Sequence, residues 1–227
     1  MPALIPVARD LWAAETPLRV YGLRLTARTT VARLADGGLW LHSPLGLAGL
    51  RTELDQLGWV HHLVAPNRMH HMGIGSFKRA FPGARLHAVP GLHDKRPDLE
   101  VDGELSDEAP PAWAGQIDQV LVRGNETLSE AVFLHRGSRS LILTDIAVHL
   151  DRAMPLPVRL LALATGRSGR LVTLPHVKRM FTDRRAARLS LDRILAWDFD
   201  RVVMAHGAIV EQDAKAQLAD AFDWLRP

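Results

Sequence analysis

Ala65-Pro-Asn-Arg-Met-His-His-Met-Gly-Ile-Gly75 joins a strand-like run, Trp59 to Val64, to a helix-like segment, Gly75 to Phe81. Two adjacent histidines at a strand-to-helix turn, with Gly73 and Gly75 beside them, mark a candidate site, because imidazole binds metals and moves protons near neutral pH. A solvated loop explains two histidines equally well, so the stretch needs its context. Before it, Leu47, Leu50, Leu54 and Leu57 recur at spacings of three and four, the apolar stripe of an amphipathic helix closed by Gly58. After it, Pro82-Gly83 ends the helix and Leu86 to Val89 reads as the next strand. The pattern is β-α-β, which pairs strands in parallel and lays helices on the sheet.

Toward the N-terminus the pattern is different. Residues 4–13 and 18–25 read as short strands, and Thr29 to Leu34 and Gly38 to Leu41 as two more, separated by the turn Ala35-Asp-Gly-Gly38. This is an antiparallel meander. Toward the C-terminus, 91–115 is loop-rich, and Ile117 to Val122, Ala131 to His135 and Ser140 to Leu143 resume the strands, the last two joined by Arg136-Gly-Ser-Arg139. Residues 146–182 are apolar and proline-broken and read as short helices forming a lid or an outer wall. Leu189 to Trp197 reads as a helix and Arg201 to Ala205 as a buried strand. Ala214, Leu218, Ala221, Phe222 and Leu225 line one face of a final helix. No Pro/Gly/Ser linker divides the chain, so a single domain over 1–227 is expected.

Composition narrows the function. Hydrophobic residues make up 47% of the 227 and charged residues 23%, with mean hydropathy -0.02, which is ordinary for a globular protein. Net charge is +3. The densest basic cluster, Lys178, Arg179, Arg184, Arg185 and Arg188, reads as a solvated helix face, and with a single Tyr and scattered Trp, nucleic-acid binding is not expected. The absence of cysteine excludes disulfides, thiolate metal sites and a cysteine nucleophile. Met1-Pro-Ala-Leu-Ile-Pro shows no signal-peptide pattern. Met154 to Thr165, broken by Pro155, Pro157 and Arg159, is too short to span a bilayer. A cytoplasmic protein with a small-molecule substrate, no membrane partner and a homodimer surface in 146–182 is the expectation.

Three strand ends carry candidate chemistry. The first leads into His70-His71, the second, Ser140-Leu-Ile-Leu-Thr-Asp145, delivers a carboxylate, and the third, Arg201-Val-Val-Met-Ala-His-Gly207, delivers an imidazole. Polar groups at the ends of buried strands are where α/β proteins place their sites. His70, His71, Asp145 and His206 make a plausible set for one divalent metal, zinc first, with manganese or iron as alternatives. The blander readings are a helix-capping Asp145 and a hydrogen-bonded core His206. His135 reads as structural, and His42, His61, His62, His87, His93, His149 and His176 as surface or packing residues.

This order of motifs resembles the metallo-β-lactamase superfamily, and more narrowly its uncharacterised β-lactamase-like domain-of-unknown-function branch. The resemblance rests on Pro66-Asn67-Arg-Met-His70-His71, on Glu130-Ala-Val-Phe-Leu-His135-Arg-Gly-Ser-Arg-Ser-Leu-Ile-Leu-Thr-Asp145, and on Ala205-His206-Gly207. It implies a mixed α/β (α+β) fold, a four-layer αββα sandwich with a metal site at one edge between the sheets. The superfamily's His-x-His-x-Asp-His motif is reduced here: Pro66 and Arg68 stand at the early histidines and His70 at the aspartate. Gly124-Asn-Glu-Thr127 stands where its middle histidine is usual, leaving Asn125, Glu126 or Glu130 as that residue's replacement. The bridging aspartate is matched by Asp145 and the last histidine by His206, so the resemblance implies a single-metal rather than a two-metal site.

A metal so held polarises a carbonyl or phosphoryl oxygen and lowers the pKa of water. Asn67 is then expected to donate to an oxyanion, Glu126 or Glu130 to act as a base or a partner to a ligand, and Arg68 to hold an anionic substrate. The resulting expectation is a metal-dependent hydrolase acting on an ester, thioester, amide or phosphoester. The alternatives are a non-catalytic member that binds a small ligand or a protein without metal, and, more remotely, a nucleic-acid-processing enzyme.

Overall fold

Trp40 lies at the centre of the fold, fully buried, its ring 5.1 Å from Phe133 and 6.2 Å from Trp113 between centroids. The structure, a computed structural model, describes residues 3–20, 23–152 and 154–226. Strands β1 (Ile5–Ala8), β2 (Leu11–Val20), β3 (Leu23–Arg33) and β4 (Leu39–His42) form the expected antiparallel meander. Helix α1 (Leu47–Leu57) then leads to β5 (Val60–Ala65), α2 (Ile74–Ala80) to β6 (Arg85–Ala88), and α3 (Leu92–Lys95) to the short β7 (Gly103–Glu104). From β4 onward these strands pair in parallel, completing a seven-stranded sheet in sequence order.

The second sheet starts with β8 (Ile117–Val122), β9 (Glu130–His135) and β10 (Ser140–Leu143), all antiparallel neighbours. The chain continues through β11 (Val148–His149), α4 (Leu156–Ala164), β12 (Leu171–Val172), α5 (Pro175–Met180) and α6 (Arg184–Ala196). It returns as β13 (Arg201–Met204), parallel to β10, and ends in α7 (Ala214–Ala221). Strand order is β13-β10-β9-β8, with β11 and β12 a separate two-stranded ribbon.

Alternation along the second sheet makes the layers. Ala131 and Phe133, Ile142 and Val203 pack into the core shared with the first sheet, while their neighbours Val132, Leu134, Leu141, Leu143, Val202 and Met204 pack against α6 and α7. On the other side, Leu50 and Leu54 of α1 and Ile74 and Phe77 of α2 bury themselves against the first sheet. The result is a mixed α/β, four-layer αββα sandwich.

Several boundaries differ from the sequence reading. Residues 4–13 are two strands, because the chain turns at Arg9-Asp10, where Asp10 takes φ 55 and its carboxylate accepts from Arg33 at 2.7 Å. The run 18–25 is the closing end of the β2–β3 hairpin, with Leu18 opposite Leu25; Tyr21 and Gly22 lie outside the described residues, as do Met1-Pro2, Ala153 and Pro227. Helix α6 begins at Arg184 instead of Leu189, since Asp183 caps it by accepting from Ala186 N at 2.9 Å. The β11–β12 ribbon was not expected, its strands being two residues each and too short to show alternation. Among the described residues no helix is long and apolar enough to cross a membrane.

Candidate metal centre

The loop after β5 is shaped by Asn67. Its Oδ1 accepts from Met69 N at 2.8 Å and His70 N at 2.7 Å, an Asx turn that reverses the chain. Gly73 lets the loop lie against the main chain of Pro44, whose carbonyl oxygen would stand 2.0 Å from any Cβ placed there. His70 is thereby aimed inward. Its Nδ1 shares a 2.6 Å hydrogen bond with Ser43 Oγ, at the end of β4, and its Nε2 lies 3.1 Å from Asp145 Oδ2. His206, after β13, donates from Nδ1 to Thr26 O at 2.7 Å and presents Nε2 to Asp145 Oδ1 at 3.5 Å. One ligand atom from each of His70, Asp145 and His206 falls within 4.8 Å of the others, the one such group among the described residues.

Two buried charges hold this arrangement. Glu130, 1% exposed, accepts from Thr144 N at 2.7 Å, Asp145 N at 2.8 Å, Ile146 N at 3.2 Å and Asn67 Nδ2 at 3.0 Å. It thus fixes the loop after β10 and the loop after β5 together. Arg28, also buried, donates to the carbonyls of Met204 and Gly207, the latter at 2.7 Å, and so clasps the turn that carries His206. Gly207 has φ +88, and a Cβ there would meet His149 O at 2.3 Å. Gly207→Ala is therefore expected to lower stability by roughly 2 kcal/mol or more and to displace His206, read as a lower urea midpoint.

Burial opposes charge at Asp145, but the imidazoles of His70 and His206 overcome it and hold its carboxyl well below the usual carboxylate range. Burial likewise disfavours a proton on His206, yet the hydrogen bond and charge of Asp145 raise its pKa. Burial, then the charge of Asp145, pushes Glu130 up.

The remaining candidates are placed as follows. His71 stands outside the group: its Nδ1 is 2.9 Å from Arg96 Nη1, and burial followed by Lys95 and Arg96 lowers its pKa. Asn67, expected to face an oxyanion, is fully buried, and its Nδ2 points to Glu130, Thr144 Oγ1 and Asp145 Oδ2, the last two at 2.8 Å. It braces the site instead of facing a substrate. Glu126 is exposed, and only its carbonyl is engaged, by Arg68 Nη1 at 3.2 Å. Asn125 is buried and caps the turn below through Leu128 N at 3.1 Å. Of the arginines after β9, Arg136 pairs with Asp118 and Arg139 with Asp198 and Asp200, and neither pairs with Glu130. Asp145 precedes no helix, which removes its capping role.

Sequence reasoning missed Ser43, Thr144 and the Thr26 carbonyl. Ser43 and Thr144 do follow buried strands, the same signal that found Asp145, whereas a main-chain carbonyl leaves no trace in sequence. The donor set fits a divalent cation. Both imidazoles tie Nδ1 to the protein and turn Nε2 toward one carboxylate, the orientation seen when an outer partner fixes a ligating histidine.

The profile of a family described as a domain of unknown function (DUF4336) matches residues 9–188. No curated protein sequence matches the chain. Among solved structures, DIM-1 metallo-beta-lactamase exposed to ceftazidime is similar at TM-score 0.70 and 14% identity, over 99% of this chain and 98% of its own. A metallo-beta-lactamase from Pontibacter korlensis gives TM-score 0.69 at 12% identity, over 98% and 99%. The Flv1 flavodiiron core from Synechocystis sp. PCC6803 gives 0.66 at 11%, over 99% of this chain and 60% of that one. At these identities the likeness is one of fold.

Proposed function

Since the chain belongs to the DUF4336 family and has the metallo-β-lactamase fold, we propose that it is a hydrolase of an ester, thioester, amide or phosphoester, dependent on one divalent metal. The observation that carries this reading is the convergence of His70 Nε2, the Asp145 carboxylate and His206 Nε2 at one edge of the two sheets. These three residues would hold the cation, zinc before manganese or iron given two imidazoles and a carboxylate. A cation held there supplies Lewis acidity toward a carbonyl or phosphoryl oxygen and toward water. The chain's own part is orientation. Ser43 and Thr26 fix the two rings, Asn67 fixes Asp145, and Glu130 fixes the loop that carries it.

Substrate charge is suggested by two cations near the loop that carries His70. Arg68 and Lys95 lie beside the His70 loop, Lys95 Nζ donating to Arg68 O at 2.7 Å, and neither forms an ion pair with a described carboxylate. An anionic ester or phosphoester suits these two cations best. The substrate is read as a small molecule and not a nucleic acid.

Elemental mass spectrometry of protein purified without chelator tests the proposal. The expected result is about one Zn, Mn or Fe per chain, lost in His70→Ala and Asp145→Asn and kept in His71→Ala. Ester and phosphoester screens then follow. Protein that takes up no metal even from an excess sinks the hydrolase reading and leaves a ligand-binding protein on an inherited fold.

A further inference from the structure

Helix α4 turns leucine to solvent. Leu156, Leu160, Leu161 and Leu163 are 61%, 56%, 65% and 62% exposed. Ala162 alone is buried, and it packs with half-buried Val158 on the small cluster of Val148, Leu150, Met154 and Val172. Leu156, Leu160 and Leu163 follow at spacings of four and three and so form one ridge, with Leu161 on the next. A helix apolar all round is ordinarily interior, and contiguous exposed apolar surface marks a contact.

Charge indicates the contact's chemistry. Between Asp151 and Asp183 the chain carries Arg152, Arg159, Arg167, Arg170, Lys178 and Arg179 and no acidic residue. The four arginines on or flanking α4 are exposed, and none forms an ion pair among the described residues. Arg167 sits in the turn that closes the helix, its N–H donating to Ala162 O at 2.7 Å. Elsewhere on the surface arginines do pair, as Arg188 with Asp192 and Arg193 with Asp107.

We propose that α4 and its arginines dock this protein on the surface of an anionic lipid bilayer, the leucines entering the headgroup–acyl boundary and Arg152, Arg159, Arg167 and Arg170 meeting lipid phosphates. A second copy of the chain is the poorer occupant, since a two-fold contact here sets the same arginines against each other. An acidic protein is also the poorer occupant: the leucines stand out as a convex ridge, which fluid acyl chains accommodate without a shaped groove. Surface docking requires no spanning helix. The segment also starts at the candidate centre, because β11 follows Asp145 closely and His149 N lies 3.5 Å from His206 O.

Co-sedimentation with vesicles tests the proposal, comparing phosphatidylcholine alone with phosphatidylcholine mixed with phosphatidylglycerol. The full chain is expected to partition at least about tenfold more strongly onto the mixed vesicles, and raised salt should weaken it. Leu156→Ser/Leu160→Ser/Leu163→Ser and, separately, Arg159→Gln/Arg167→Gln are each expected to lower partitioning about tenfold or more, with circular dichroism unchanged because all five side chains are exposed. Three results overturn the proposal. One is equal or absent binding to both vesicles. Another is loss in the arginine variant alone with equal capture by polyglutamate, which indicates nonspecific acid binding. The third is a dimer in sedimentation velocity that the leucine variant makes monomeric, with no vesicle binding.

Discussion

Glu130→Ala, at a position 1% exposed, is expected to lower the free energy of unfolding by about 4 kcal/mol or more. Three main-chain N–H groups, of Thr144, Asp145 and Ile146, and the amide of Asn67 converge on its two oxygens. Removing the carboxyl leaves these buried donors without an acceptor, and each unsatisfied donor costs about 1–3 kcal/mol. A cavity adds to that cost. Against a total stability of about 5–15 kcal/mol, the loss is a large fraction. Glu130→Gln keeps the volume and one acceptor oxygen but sets an NH₂ against N–H donors, so an intermediate loss of roughly 2 kcal/mol is expected. The same variants should bind metal more weakly, by about 10–100-fold, because Asp145 and His70 both lean on Asn67 and on the loop that Glu130 ties down. Urea unfolding and metal titration of the two variants check both effects. If alanine and glutamine each fall within about 0.5 kcal/mol of the parent, Glu130 is no more than a surface-type charge.

What sequence revealed of the fold, it revealed through period. The four leucines of α1 and the Ala214, Leu218, Ala221 set of α7 announce their inward faces: Leu50, Leu54, Ala214, Leu218 and Ala221 are buried, with Leu47 and Leu57 half-buried at the ends of α1. Strand ends were legible for the same reason: an apolar run followed at once by His or Asp places the polar group at a sheet edge, as at Asp145 and His206. Between His70 and His71, by contrast, sequence is silent. Neighbouring residues differ only in the direction the turn gives them, and that direction depends on Asn67 Oδ1 and Ser43 Oγ, one nearby and one distant in the chain. Glu130 was visible as a charge beginning a strand, but its partners lie fourteen to sixteen residues ahead and in another sheet's loop. Within 146–182 the short helices are there as α4 and α5, but their faces were not legible: α4 buries Ala162 alone, so no stripe forms, and the strands of the β11–β12 ribbon are two residues each.

Acid is expected to unfold this protein well above the range where carboxylates protonate. His62 and His87 lie side by side, Nδ1 of one 3.2 Å from Nε2 of the other, 7% and 5% exposed and pressed against Trp113 with ring centroids 5.1 and 4.5 Å away. For His62, burial and then the charge of His61 lower the pKa to about 4; for His87, burial and then the charge of His62 do the same. In the unfolded chain both titrate near 6.5. Between these values the unfolded state binds protons that the folded state refuses, so stability is highest above pH 6.5 and falls as pH drops toward 4. Each histidine contributes roughly 3 kcal/mol across that window, and the pair about 6, comparable with the whole stability of many domains. Buried His42, brought to about 3 by desolvation and then by His70, steepens the same fall. The raised pKa of His206 acts the opposite way, its contribution being lost as pH rises above 6.5, and the depressed carboxyl of Asp145 acts only lower down. Urea midpoints at neutral pH, pH 6 and pH 5 should therefore drop steeply, and a His62→Leu/His87→Leu variant should flatten the slope by about two protons' worth. Midpoints that stay level across that range, or a variant whose slope matches the parent's, would mean that the pair is hydrated and free to take up protons in the folded state.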